Sequence, residues 1–289
     1  MNKKELSIII VTFNSSHIIS KCINSFERNI YDVYVVDNAS SDNTISIINK
    51  DFKDIFLIAN NKNLGFGKAN NIALEKIDTE YALILNPDAL IRDVDISNAI
   101  NILRKNSDIA ILGSNTIIEK DFANTKVNGL EEFYYSDFVV GGVMFVNMNN
   151  LRKIGFFDEK FFMFAEDSEI CDRSIANGFK NAIAYNCFAI HEGAQSSKKT
   201  LKNLYRRFWH LGWSKTIYKK GRKNYFSYCR SSIRIIIKYF IEAIFYLLIL
   251  KFEKSITKFG FCFGSLSAIL GVKAFDKNGN PRGQLPFAN

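Results

Sequence analysis

The first ninety residues pass back and forth between two hydrophobic patterns. Leu6-Ser-Ile-Ile-Ile-Val11 is a short, β-branched and almost wholly apolar run, the pattern of a strand buried on both faces. Residues 33–36, 55–59 and 81–85 repeat it, the second run ending at Asp37. Between these runs the apolar positions recur at helical spacing. Ile18, Ile19, Cys22, Ile23 and Phe26 form one such stripe, which Ser15 or Ser16 is placed to cap. Residues 43–51 and 67–77 read as two further helices. A strand–helix rhythm of this kind predicts an open, mostly parallel α/β sheet flanked by helices.

Farther along, an apolar run surrounds Gly141-Gly142, and adjacent glycines in a strand suggest that the backbone closely approaches another group. The segment from Phe156 to Phe164 is too aromatic for a solvated loop. Residues 168–177 then read as a helix stopped by Gly178, and 181–185 as a short strand with His191 in the polar stretch beyond it.

Composition narrows the picture. The chain has 289 residues, 47% hydrophobic and 23% charged, which excludes wholesale disorder. Five scattered cysteines without a CxxC pair argue against a disulfide scaffold or structural zinc and suit a reducing cytoplasm. The apolar stretch after the charged N-terminus is too short for a signal-peptide core. The net charge of +9 is unevenly placed. Residues 193–241 hold thirteen Lys and Arg and no Asp or Glu, so the rest of the chain is net acidic. A basic tail on an acidic body points to a polyanionic partner for the tail.

Open α/β sheets bind ligands beyond the C-terminal ends of their strands. The residues there are Thr12, Phe13 and Asn14, then Asp37 and Asn38, then 60–63, then Asn86, Pro87 and Asp88. Asp88 can hold a hard divalent cation such as Mg²⁺ or Mn²⁺, the kind of ion that a departing diphosphate needs as charge builds on it. His191 is either a further ligand or a histidine at the edge of the core. Glu166-Asp167 at a helix start either complements the helix dipole or supplies a general base for an acceptor hydroxyl. Asp37 can accept hydrogen bonds from a base edge or a ribose, and Phe13 offers an apolar face to a pyrimidine. Asn63-Leu-Gly-Phe-Gly-Lys68 has glycines and a lysine but not the P-loop spacing, and no Rossmann glycine triplet follows the first strand.

The ordered set resembles the family 2 glycosyltransferases of GT-A fold. It comprises Ser7-Ile-Ile-Ile-Val-Thr-Phe-Asn14, Val35-Val-Asp-Asn-Ala-Ser-Ser-Asp42, Asn63-Leu-Gly-Phe-Gly-Lys-Ala-Asn70, Leu85-Asn-Pro-Asp88 and Glu166-Asp-Ser-Glu-Ile-Cys-Asp-Arg173. The resemblance implies nucleotide contacts at Thr12, Phe13, Asn14 and Asp37, joined by Asn38, Asn63, Lys68 and Asn86. It implies diphosphate-bound metal at Asp88 with His191, and Asp167 as the base of a single inverting displacement. Where the family has a DxD motif this chain has Asn86-Pro87-Asp88, so one carboxylate is missing. The Asn-Pro-Asp variant is similar to the rhamnosyltransferase branch. That implies dTDP-L-rhamnose as donor, or else another UDP-, dTDP- or GDP-sugar, and a saccharide or polyprenyl-diphosphate-linked acceptor in surface glycan assembly.

Residues 1–197 are thus expected to form the catalytic domain, with nucleotide-sugar binding in 1–90 and the acceptor part in 91–197. Residues 198–289 form a basic, aromatic-rich helical extension. Its apolar run at 233–250 is broken by Arg234, Lys238 and Glu242, and the charge-free part, 243–250, is far short of the ~20 residues a spanning helix needs. It reads as an in-plane helix on an anionic membrane, or as a buried helical hairpin. The first reading places a peripheral protein on the inner face of the cell membrane. A nucleic-acid partner, which basic and aromatic residues also suit, leaves the first 190 residues unexplained. An inactive glycan-binding or scaffold protein is the other rival.

Overall fold

The computed structural model describes residues 4–117, 132–191, 200–220, 222 and 225–283. The chain divides into two compact units. The first comprises Met1–Asn63, Lys68–Phe157 and Asp167–Ser197; the second comprises Leu64–Gly67, Asp158–Glu166 and Lys198–Asn289.

The first unit is built on a single mixed sheet with strand order β3-β2-β1-β4-β8-β6-β9-β5 and β7 paired to β9. Strands β1 (Leu6–Thr12), β2 (Asp32–Asp37), β3 (Phe56–Ala59) and β4 (Tyr81–Leu85) are mutually parallel, as the repeated apolar runs require. Their helices are α1 (Ile19–Ile23), α2 (Thr44–Asp51) and α3 (Phe66–Leu74). Strands β1 and β4 are buried almost end to end, and each Ile or Leu sealed there contributes roughly 1.5–3 kcal/mol. Strand β3 lies at the sheet edge and leaves Phe56 exposed.

Antiparallel pairing enters in the second half. There lie β5 (Ala89–Ile91), α4 (Asp93–Lys105), β6 (Ile109–Ile117), β7 (Phe133–Tyr135), β8 (Val143–Asn147), α5 (Met148–Ile154), α6 (Glu166–Ala176) and β9 (Lys180–His191). Strand β8 runs antiparallel to both β4 and β6, and β5 antiparallel to the end of β9. Helix α4, to which the pattern above assigns no element, follows the rules for one. Asp93 and Asp95 occupy its first turn and Arg104 and Lys105 its last, and Ile96, Ala99, Ile100 and Leu103 make its buried stripe.

Three local expectations change. Neither Ser15 nor Ser16 caps α1 with its hydroxyl; the Ser15 carbonyl accepts from the Ile18 and Ile19 N–H groups instead. Gly141-Gly142 form the turn before β8 rather than part of a strand. His191 is not beyond the last strand but ends it, because β9 runs through polar Asn186. A register shift between Gly113 and Asn115, whose partners are Ile183 and Phe188, bulges β9 at that point. The Phe188 N–H after the bulge is satisfied by the buried Asp95 carboxylate at 2.8 Å, which Arg92 holds at 2.6 Å. So restrained, β9 continues to His191, paired with Ala89. The stretch 192–197 lies outside the described residues.

The second unit is helical: α7 (Leu201–Lys220), α8 (Tyr225–Leu248) and α9 (Phe252–Ile269). Helices α7 and α9 touch backbone to backbone. A Cβ at Gly212 would lie 2.2 Å from the Phe261 carbonyl oxygen, and one at Gly264 would overlap the Trp209 carbonyl oxygen. Tyr205, Trp209 and Trp213 therefore fill a core with Phe161 and Phe162 instead of lining a surface with the neighbouring cations. Helices α8 and α9 form a hairpin through a turn at Leu250, with Tyr239 stacked on Phe261 and the Ser255 hydroxyl bonded to the Ala243 carbonyl.

Candidate functional site

The strand order reverses around β1, with β2 on one side and β4 on the other, so the loops after β1, β2 and β4 sit at a topological switch point. The first two loops are tied into one structure. Asp37, fully buried at the end of β2, accepts from the Thr12 hydroxyl at 2.9 Å and from the Ser40 N–H at 2.8 Å. Asn14 accepts from the Ser41 N–H at 2.8 Å and donates its own N–H to the Ser40 hydroxyl at 2.8 Å. Asn38 donates its N–H to the Thr12 carbonyl and accepts from the Asn60 amide. Asn14 and Ala39 both hold left-handed backbone, with φ of 54° and 62°, a strain that loops at binding sites carry. Asp37 is thus first of all the clamp between the two loops; Phe13 sits half-buried between Thr12 and Asn14.

Asn63 and Lys68 flank the glycine loop that leads into α3, and Lys68 lies in its first turn. Gly65 is required there: φ is +86°, and a Cβ would fall on the Phe162 carbonyl, the same oxygen that accepts the Phe66 N–H at 2.9 Å.

The third loop brings the remaining candidates together. Asn86, Pro87 and Asp88 form a turn closed by the Ala89 N–H on the Asn86 carbonyl, with proline at its second position. Because Ala89 pairs with His191, the turn and the end of β9 meet. His191 Nε2 stands 3.3 Å from Asp88 Oδ1, their side chains 18% and 5% exposed. The Asn86 amide nitrogen is 3.1 Å from the same Nε2. With that amide donating, Nε2 presents a lone pair, the form in which imidazole ligates metals. Expected among the nucleotide contacts, Asn86 is placed against the histidine.

Gly141-Gly142 links this group to the expected base. The Gly142 carbonyl accepts the Asn86 N–H at 2.8 Å. A Cβ on Gly142 would lie 2.4 Å from His191 Cε1, so the close approach expected at these glycines is to an imidazole. The Gly141 N–H points to Asp167 Oδ2 at 3.4 Å, and the Ser168 N–H donates to Oδ1 at 2.8 Å. Burial raises the Asp167 pKa above the ordinary carboxylate range, against the pull of those N–H groups. Phe164 and Ala165, both left-handed at φ 69° and 67°, turn the chain just before α6. Asp167 therefore occupies a first turn of helix, consistent with either role read for it above.

Among the described residues no three His, Cys, Asp or Glu side chains converge on a metal position. Two surface hollows of about 250 and 300 Å³ lie beside Arg104 and beside Arg28 and include none of these residues.

Residues 7–169, more than half of the chain, match the model of glycosyl transferase family 2. The chain belongs to that family. It is 25% identical over 179 residues to the rhamnosyltransferase WbbL of Escherichia coli, covering 51% of this chain and 67% of the relative. It is 26% identical over 192 residues to the low-salt glycan biosynthesis hexosyltransferase Agl10 of Haloferax volcanii, covering 59% of this chain and 61% of the relative. The aligned stretch thus spans about two thirds of these relatives or less. In fold it is similar to the mannosyltransferase PcManGT of Pyrobaculum calidifontis, solved with GDP-Man and Mn²⁺. The TM-score is 0.61 at 15% identity over 94% of this chain and 88% of that one. The architecture is the GT-A fold of glycosyltransferases.

Proposed function

We propose that the chain transfers a sugar from a nucleoside-diphosphate donor to a saccharide or polyprenyl-diphosphate-linked acceptor, with inversion, at the inner face of the cell membrane. The observation that carries this is the Gly141-Gly142 turn, which brings Asp167 and the Asp88–His191 pair to adjacent residues. Asp167 takes the proton of the acceptor hydroxyl; the acceptor oxygen bonds to the anomeric carbon as the bond from that carbon to the diphosphate oxygen breaks. One base and no covalent intermediate give inversion. Asp37 with Thr12, Phe13, Asn14 and Asn38 shapes the nucleotide end, and Asn63 and Lys68 lie toward the diphosphate.

The Asp88–His191 pair fits a divalent cation. A carboxylate oxygen of Asp88 and a ring nitrogen of His191 stand 3.3 Å apart, and both atom types ligate Mg²⁺ or Mn²⁺. Asp88 and His191 would hold Mg²⁺ or Mn²⁺, which when bound neutralises charge on the leaving diphosphate. Asn86, in place of a second carboxylate, would leave more of the coordination shell to water and phosphate.

Support for dTDP-L-rhamnose as donor comes from the Asn86-Pro87-Asp88 variant and the likeness to WbbL. Thermal-shift titration with dTDP-rhamnose, UDP-GlcNAc and GDP-mannose in Mn²⁺ tests it. A Tm rise largest for dTDP-rhamnose is expected; a larger rise with another donor would reassign the sugar, and no rise with any would sink the enzyme reading.

Gly142→Ala is expected to push the imidazole off Asp88. Loss of such a supporting contact lowers metal affinity by roughly 10–100-fold. Mn²⁺ titration by calorimetry in the presence of nucleotide should read this, and an unchanged affinity would remove His191 from the site.

A further inference from the structure

Helix α8 shows two opposite faces. Tyr228, Ser232 and Ala243 are buried, and with Tyr239 stacked on Phe261 they mark the flank packed in the hairpin. On the other flank, Ile237 is 53% exposed, Ile241 60%, Phe245 56% and Leu248 76%. Spacings of three and four place these on one stripe, and Leu250 (73%) and Phe252 (54%) extend it around the hairpin turn. An apolar stripe of this length left in water marks an interaction site.

Its rim is cationic. Arg230, Arg234 and Lys238 stand exposed along α8, and Lys251 and Lys254 at the turn. Of the two acids in this stretch, Glu242 is bound by Lys258 and lies 3.8 Å from Lys238. Glu253 is exposed. No helix among the described residues is long and apolar enough to cross a membrane. A second copy seated on the stripe by two-fold symmetry would set these cations against their own equivalents, which disfavours that occupant.

We infer that the outer face of α8 and the α8–α9 turn form a monotopic membrane anchor, lying in the plane of an anionic bilayer with Ile237, Ile241, Phe245, Leu248, Leu250 and Phe252 below the headgroups. This rests on the proposed membrane-borne acceptor but assigns its own surface. The tryptophans of α7 belong to the core and take no part. Each Lys or Arg held near an anionic surface adds roughly fivefold to binding, and the apolar stripe supplies the part that salt does not screen.

The test is co-sedimentation of the full chain with vesicles of phosphatidylcholine containing or lacking phosphatidylglycerol. Wild type is expected to pellet with the anionic vesicles, at least tenfold more than with neutral ones, and to be weakened but not fully released by 0.5 M NaCl. I241E/L248E should lose binding at both salts, at least tenfold at low salt. R234Q/K238Q should lose it chiefly at low salt. All three proteins should keep the same helical circular dichroism and the same nucleotide affinity. Wild type that stays in the supernatant with anionic vesicles overturns the anchor, and if it still binds nucleotide the transferase reading stands. Loss of a dimer in I241E/L248E, by light scattering, with unchanged vesicle binding assigns the stripe to a second copy and equally overturns it. Vesicle binding without any nucleotide affinity leaves the anchor and removes the enzyme.

Discussion

Asp88→Ala is expected to abolish transfer and to remove the metal dependence of donor binding. Asp88 is the only carboxylate of the Asn-Pro-Asp turn, and the imidazole of His191, 3.3 Å from it, brings no negative charge to balance a dication. The loss should be larger than for His191→Ala, which leaves the anionic ligand in place. Donor affinity measured with and without Mn²⁺ checks this. The two values should become equal in Asp88→Ala and remain separated in His191→Ala. A metal effect that persists at full size in Asp88→Ala would show that the cation is held elsewhere.

Asp167→Asn separates the two roles of that residue. As a base, it should lose about 10²–10⁴ in kcat with donor affinity near wild type. The stability change has the opposite sign from a helix-capping role. Burial raises the Asp167 pKa in the folded state, so the ionised side chain costs stability once the pH exceeds its unfolded value. Asparagine carries no such cost at neutral pH, so the Tm should hold or rise. A lower Tm with turnover intact would make Asp167 a helix-dipole residue only. In the wild type, kcat should fall as pH drops through a pKa above the ordinary carboxylate range, and Asp167→Asn should lack that limb.

Much of the N-terminal half was legible because parallel strands buried on both faces write themselves as uninterrupted apolar runs. Residues of β1 and β4 could be read one by one, and the rule that ligands sit beyond strand ends then named Thr12, Asp37 and Asp88. The second half was harder for a physical reason. Strand β9 carries a bulge at polar Asn186 that is stabilised by Asp95, a residue nearly a hundred positions away, so the period breaks where the strand does not. The strand pattern therefore ends at residue 185, although the strand itself runs on to His191. In the tail, Trp209 and Trp213 sit among lysines and arginines in sequence, and only the glycine-permitted approach of α9 shows that they are buried.

By itself, then, the sequence determined the parallel α/β half, its family, and the identity of the residues with usable chemistry, because these follow from local periodicity and from side-chain type. The tertiary structure decided which of them lie together. Asp88, His191, Asn86 and Asp167 come from three separate segments, and they are gathered by the Ala89–His191 register, by the space that a missing side chain leaves at Gly142 and by the Gly141 N–H on Asp167. It also decided which apolar face of the tail is left open, since α8 has apolar residues on both flanks and packing against α9 consumes only one.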